Sequence, residues 1–329
     1  MRTTSAVLGA ATLTLALAAC GAPSEQAAES GEGDVLRVGV SPVPHGDILA
    51  FIDENLAEEA GLDLEIQEIS DYNIPNTALV EGELDANYFQ HRAFLDEWVS
   101  NSPTDAELTY LTDVHIERLG LYSETVESVG DLPEGAEIAV PNDPANLARS
   151  LELLEAEGLV TVDPEAGASA TEDDIVENPR DITVTPLEAA QLPRSIADVD
   201  AAVVNGNYAI EAKLPEESNV LAWEPEGEDY VESYANGLVT LAENAEDERI
   251  QKLADLLHDE RVLEYVQETW QGVVLPVDAE GEVVETDGAG SEDTDEGTDE
   301  GTDGGSAAGS GSDDDSDDDD KDDRGGSRR

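Results

Sequence analysis

The sequence predicts an α/β protein built as two similar lobes with a ligand cleft between them. Two observations carry this expectation. Short alternating apolar runs, read as strands, are separated by runs with helical spacing. The order strand, helix, strand, short helix, strand also occurs twice, over residues 35–89 and again over 137–204. Each such run demands a parallel sheet with helices on its faces. Small-ligand sites favour the junction of two lobes and the carboxyl ends of parallel strands.

Val35-Leu36-Arg37-Val38-Gly39-Val40 alternates as the first strand, and Pro42, Pro44 and Gly46 mark a loop after it. Residues 48–60 then place Ile48, Phe51, Ile52 and Leu56 on one helical face, with Gly61 as the stop. Residues 62–66 alternate as a second strand, 76–81 form a short helix closed by Gly82, and 84–89 form a third strand. In the second half the strands are 137–140, 181–184 and 200–204. A helix over 144–157 ends at Gly158, and 188–192 and 208–212 are helical in character. One final helix over 250–268 sets Ile250, Leu253, Leu257 and Val266 near one face.

The chain has 329 residues, of which 39% are apolar and only 4% aromatic, so aliphatic side chains must fill most of the core. It carries 79 acids against 15 bases, a formal net charge of -64, which excludes nucleic acid and anionic membrane surfaces as partners. Residues 278–329 hold 21 acids and 4 bases, leaving 58 acids and 11 bases elsewhere, so the folded part is itself acidic. That excess fits a solvated surface or a protein that works in high salt, where self-repulsion is screened.

The N-terminus reads as an export signal. Arg2 precedes a small and apolar run over 6–19, too short to span a bilayer and right for a signal-peptide core. The run ends Leu17-Ala18-Ala19-Cys20-Gly21, which resembles a bacterial lipobox, and Cys20 is the only cysteine. Residues 1–19 are therefore expected to be a lipoprotein signal peptide. Cys20 is expected to carry the lipid, and 20–33 to be a flexible tether. The protein would sit, lipid-anchored, at the extracytoplasmic face of the cell membrane. Residues 278–329 are disordered by composition, and the acidic run near their end lacks the spacing of a calcium loop.

The sharpest candidate site is Val140-Pro141-Asn142-Asp143-Pro144-Ala145-Asn146-Leu147-Ala148-Arg149. Asp143 is a natural cap and Pro144 suits the first helical position. Helical spacing puts Asn146 and Arg149 on a face away from the buried stripe of Leu147, Leu151 and Leu154. A guanidinium fork beside a helix N-terminus suits a carboxylate, while a surface arginine paired with nearby acids is the plain alternative. Tyr72 to Asn76 and Asn87 to His91 combine aromatic walls with amide and imidazole groups, a mixture equally usable in a core. Asn205-Gly206-Asn207-Tyr208 and Tyr234-Ala235-Asn236-Gly237 add amides at further strand ends. No nucleophile motif is present, and His45, His91, His115 and His258 lie far apart, so neither catalysis nor a metal or other cofactor is expected.

Asp71-Tyr72-Asn73-Ile74-Pro75-Asn76, Asp85-Ala86-Asn87-Tyr88-Phe89-Gln90-His91 and Val140 to Pro144 together resemble the NlpA/MetQ family of methionine-binding lipoproteins. Leu187 to Ser195 and Val203-Val204-Asn205 extend the resemblance, which runs in order over residues 35–275. It implies a type II periplasmic-binding-protein fold that closes on an amino acid and docks on an ABC permease with its ATPase subunit. By position, Arg149 would bind the ligand carboxylate with Asn146 nearby, and Asn205 and Asn236 would hold the amino and carboxylate groups. Tyr72, Tyr88, Phe89 and His91 would line a thioether slot. The chain would cross between lobes twice, placing 34–118 and 237–277 in lobe 1 and 119–236 in lobe 2. The implied function is capture of methionine, L and also D. A methionine-containing dipeptide or another amino acid is the alternative ligand, and an enzyme on this fold the alternative class. Arg118, where family chains usually carry proline, and the acidic tail fall outside the resemblance.

Overall fold

A computed structural model describes residues 35–227 and 230–284. The expected signal peptide, Cys20, the tether over 20–33 and the acidic residues from 285 onward lie outside the described residues.

In chain order the strands are β1 (Leu36–Val40), β2 (Leu64–Glu68), β3 (Ala86–His91), β4 (Leu108–Glu117), β5 (Gly120–Ser123), β6 (Glu137–Pro141) and β7 (Thr161–Val162). They continue with β8 (Ile175–Glu177), β9 (Thr183–Leu187), β10 (Ala201–Val204), β11 (Asn219–Trp223), β12 (Ala235–Leu241) and β13 (Val274–Pro276). One sheet has the order β13-β4-β12-β3-β1-β2, the other β11-β5-β10-β6-β9, and β7 and β8 form a small separate pair.

The parallel units expected from the sequence are the hearts of these sheets. β1 pairs in parallel with β2 and β3, and β6 in parallel with β9 and β10. Leu36, Val38 and Val40 share one face of β1 and are fully buried there, in one cluster with Ile48, Leu49 and Ile52. The helical segments Asp47–Ile52, Asp53–Ala57 and Glu58–Ala60 bury Ile48, Leu49, Ile52 and Leu56 on this sheet and end at Gly61, whose φ of 66° is left-handed. In the second lobe, helix Pro144–Ala156 packs Leu147, Leu151, Leu153 and Leu154 against Ile138, Val140 and Val203.

The sheets are mixed rather than purely parallel. β12 runs antiparallel to β3 and β4, β13 antiparallel to β4, and β5 antiparallel to β10 and β11. Most of these strands escaped sequence reading because they bury polar groups, among them His115, Glu117, Asn236 and Thr240, which breaks the apolar alternation. The first passage between sheets is short: β4 ends at Glu117 and β5 begins at Gly120. On the return, β12 begins at Ala235, ahead of the expected crossing at Gly237, so Asn236 belongs to the first sheet.

Two further expectations are corrected. The final helix is two helices, Glu248–Leu257 and Glu260–Trp270, because Asp259 turns outward and accepts from Arg261 N at 3.0 Å to cap the second. Residues 278–284 are ordered: Val277 bridges Val283, and the Asp278 carboxylate accepts from the backbone N–H groups of Glu280 and Glu282.

Candidate functional site

A cavity with about 320 Å³ of empty space, its mouth included, lies where the carboxyl ends of β3, β6 and β10 converge. β3 contributes Phe89, Gln90 and His91, the loop after β2 contributes Tyr72, and helix Arg92–Asn101 contributes Phe94. Glu117 ends β4, Asn236 opens β12, and Asn205 and Gly206 follow β10. Asn146 and Arg149 come from the first turns of helix Pro144–Ala156. Both sheets therefore supply side chains to one space.

Arg149 is buried, not on an open face. Its Nε and Nη2 each donate to the Glu224 carboxylate at 2.5 Å, and Nη2 donates to the Glu117 carbonyl at 3.1 Å. The Tyr234 ring lies 4.3 Å from the guanidinium carbon, a cation–π contact. Glu224 is held in turn by Leu119 N at 2.8 Å and the Tyr230 hydroxyl at 2.7 Å. Burial works against the arginine's charge, but the Glu224 carboxylate outweighs it and holds the guanidinium above its ordinary pKa. Its Nη1 takes no hydrogen-bond partner among the described residues, so one end of the fork remains for a ligand.

Asp143 caps the helix by accepting from Asn146 N and from Asn146 Nδ2, both at 2.9 Å, which aims the amide oxygen of Asn146 into the cavity. That oxygen accepts from Asn205 Nδ2 at 3.0 Å and from His91 Nε2 at 3.2 Å. His91 Nδ1 accepts from Phe94 N, so its proton resides on Nε2. Burial, then the Arg149 charge, lowers the His91 pKa to about 3, so the ring is neutral at physiological pH. Asn205 Oδ1 is buried without a partner among the described residues, an acceptor aimed at nothing in the protein.

The remaining wall is aromatic. Tyr72, Phe89 and Phe94 pack with ring centroids 5.7 to 6.0 Å apart. The Tyr72 hydroxyl donates to Asn207 Oδ1 at 2.5 Å and the Tyr208 hydroxyl to the Ser70 carbonyl at 2.5 Å, so a neighbouring pair of hydrogen bonds links the lobes beside Tyr72.

The sequence profile of the NlpA lipoprotein family matches residues 36–278. The chain belongs to the NlpA lipoprotein family. The methionine-binding lipoprotein MetQ of Bacillus subtilis is 35% identical over 276 residues, covering 82% of this chain and 97% of that protein. A nutrient binding protein from Burkholderia cenocepacia, solved bound to methionine, is similar in structure with a TM-score of 0.69. It is 35% identical, over 73% of this chain and 99% of that one. A periplasmic substrate-binding protein of an ABC transporter from Coxiella burnetii gives a TM-score of 0.68 at 33% identity, over 74% and 100%. The fold is the two-lobed substrate-binding-protein fold. Among the described residues, no helix is long and apolar enough to cross a membrane.

In this NlpA-family chain, seven of the eight expected ligand residues line the cavity: Tyr72, Phe89, His91, Asn146, Arg149, Asn205 and Asn236. Tyr88 does not. Strand alternation turns it to the face of β3 opposite Phe89 and His91, where it is fully buried against His45 and His115. Gln90, Phe94, Glu117 and Gly206 complete the lining; none was among the eight expected ligand residues, though Gln90 and Gly206 lie within the candidate motifs. Phe94 lies one helical turn beyond His91 and Gly206 adjoins Asn205, so proximity in sequence could have flagged both. Glu117 gave no signal, because it ends a strand whose polar residues conceal its pattern.

Proposed function

We propose that the chain captures methionine in this cavity and delivers it to an ABC permease with its ATPase, while lipid on Cys20 holds it at the extracytoplasmic face of the cell membrane. The observation that carries the reading is Arg149: a buried, fixed cation at a helix N-terminus with Nη1 uncommitted, the arrangement a ligand carboxylate needs. Asn205 Oδ1 and Asn236 supply acceptors for the ligand ammonium. Tyr72, Phe89 and Phe94 offer ring faces and edges to an unbranched thioether, a contact sulfur favours. His91, kept neutral, contributes shape and a hydrogen bond rather than charge. Ligand leaves chemically unchanged, since the cavity groups hold a zwitterion and none is placed as an activated nucleophile. Mass spectrometry of small molecules released from the purified, denatured protein tests the proposal. Recovery of methionine in near one-to-one amount is expected, and consistent recovery of a different solute would overturn the methionine assignment.

A further inference from the structure

A second cluster adjoins the cavity on its first-lobe side; it shares Glu117 with the cavity lining, while its two histidines lie outside that lining. His45 follows β1, His115 lies in β4, and Glu117 ends β4; all three are buried. One ligand-capable atom from each lies within 4.8 Å of the others. His115 Nε2 is 2.9 Å and His45 Nε2 3.4 Å from Glu117 Oε1. Two donors about 2.0–2.1 Å from one cation stand roughly 2.9 Å apart at a right angle and roughly 3.4 Å apart at a tetrahedral angle. The two Nε2–Oε1 separations match these two edges, and binding would draw together any wider gap within the 4.8 Å cluster.

We propose that His45, His115 and Glu117 form a binding site for a divalent transition-metal cation of the zinc class. Two imidazoles and one carboxylate are the donor types such ions take. The surroundings are those of a supported metal site. The Tyr88 hydroxyl hydrogen-bonds His115 Nδ1 and fixes the ring with Nε2 toward Glu117. Asn207 N donates to Glu117 Oε2 at 2.6 Å, which orients the carboxylate and leaves Oε1 to the cluster. Burial keeps both rings neutral, with pKa values lowered to about 4 for His45 and about 3 for His115, the state in which imidazole ligates. On binding, each Nε2 proton moves to Nδ1, where for His115 it is donated to the Tyr88 oxygen. Glu117 binds as the carboxylate and releases any proton it carried. Without a cation the same atoms form a hydrogen-bonded network, and the experiment must separate these two states.

The full chain, stripped with a chelator, is titrated with Co²⁺ and followed by its visible absorption, then challenged with Zn²⁺. The acidic tail offers only oxygen donors, so it contributes weak octahedral bands. One equivalent of Co²⁺ with the stronger bands of a four- or five-coordinate nitrogen-containing site is expected, displaced by one equivalent of Zn²⁺. His115→Phe and Glu117→Gln should each weaken that equivalent at least a hundredfold. Tyr88→Phe keeps the packing and should weaken it about tenfold by freeing the His115 ring, which preserves the test if either ligand variant fails to fold. Absence of the strong bands in the wild-type protein, or wild-type Co²⁺ affinity in the folded variants, would overturn the site.

Discussion

In the proposed reading, Arg149 is the side chain on which ligand affinity turns. Arg149→Ala removes the carboxylate partner and strands Glu224, a buried acid whose companion it is. Methionine affinity should fall at least a hundredfold in calorimetry, and stability by about 3–5 kcal/mol in urea unfolding. Arg149→Lys keeps the charge but not the fork, so it should recover little of the affinity. The sequence made the arginine conspicuous through its place after a capped helix start. It could not show the burial, because Glu224 and Tyr234 meet it from 75 and more residues away. The histidines carry a pH prediction. His91 binds its proton near pH 6.5 when unfolded but only near pH 3 when folded, and His45 and His115 are lowered in the same sense. The unfolded chain therefore takes up protons that the native state refuses. This contribution to stability is full above pH 6.5 and is lost as pH falls from 6.5 toward the folded values. Between pH 7 and 5, His91→Gln should lose about 2 kcal/mol less than the wild-type protein, at 1.36 kcal/mol per unit.

Among the elements, helix Pro144–Ala156 is the one whose local chemistry reaches furthest into the site. Asp143 both caps it and holds Asn146 by two hydrogen bonds. Asp143→Ala should cost about 1 kcal/mol of stability and weaken methionine about tenfold, because the Asn146 amide loses its anchor; thermal melts and calorimetry check the two effects separately. β12 carries a stricter requirement. A Cβ on Gly237 would stand 2.1 Å from the Thr112 carbonyl oxygen, a backbone atom with nowhere to go. Gly237→Ala should lower the melting temperature far more than a surface glycine substitution does. Helices and parallel strands were legible because their apolar spacing and glycine stops are local. β4, β5 and β12 were not, since what makes them strands is pairing across the chain around buried polar groups. Tyr88 shows the same limit in reverse: its motif was visible, but which face of β3 it occupies is settled by the sheet.

For the whole molecule, the two lobes meet through the hydrogen bonds beside Tyr72 and Tyr208, and the first link between them runs only from Glu117 to Gly120. Tyr72→Phe removes one of these closing contacts while keeping the aromatic wall. It should weaken ligand mainly by favouring the open arrangement, seen as a larger radius of gyration in scattering without ligand. The charge of -64 adds a prediction of its own: the melting temperature should rise with added salt as self-repulsion is screened, and a flat response would leave the acidity as simple surface solvation. The central claim, that this cleft holds methionine through Arg149, is tested most directly by calorimetry on ligand-stripped protein. Stoichiometric heat with methionine that disappears in Arg149→Ala is the predicted result; no heat with either stereoisomer in the wild-type protein would contradict it.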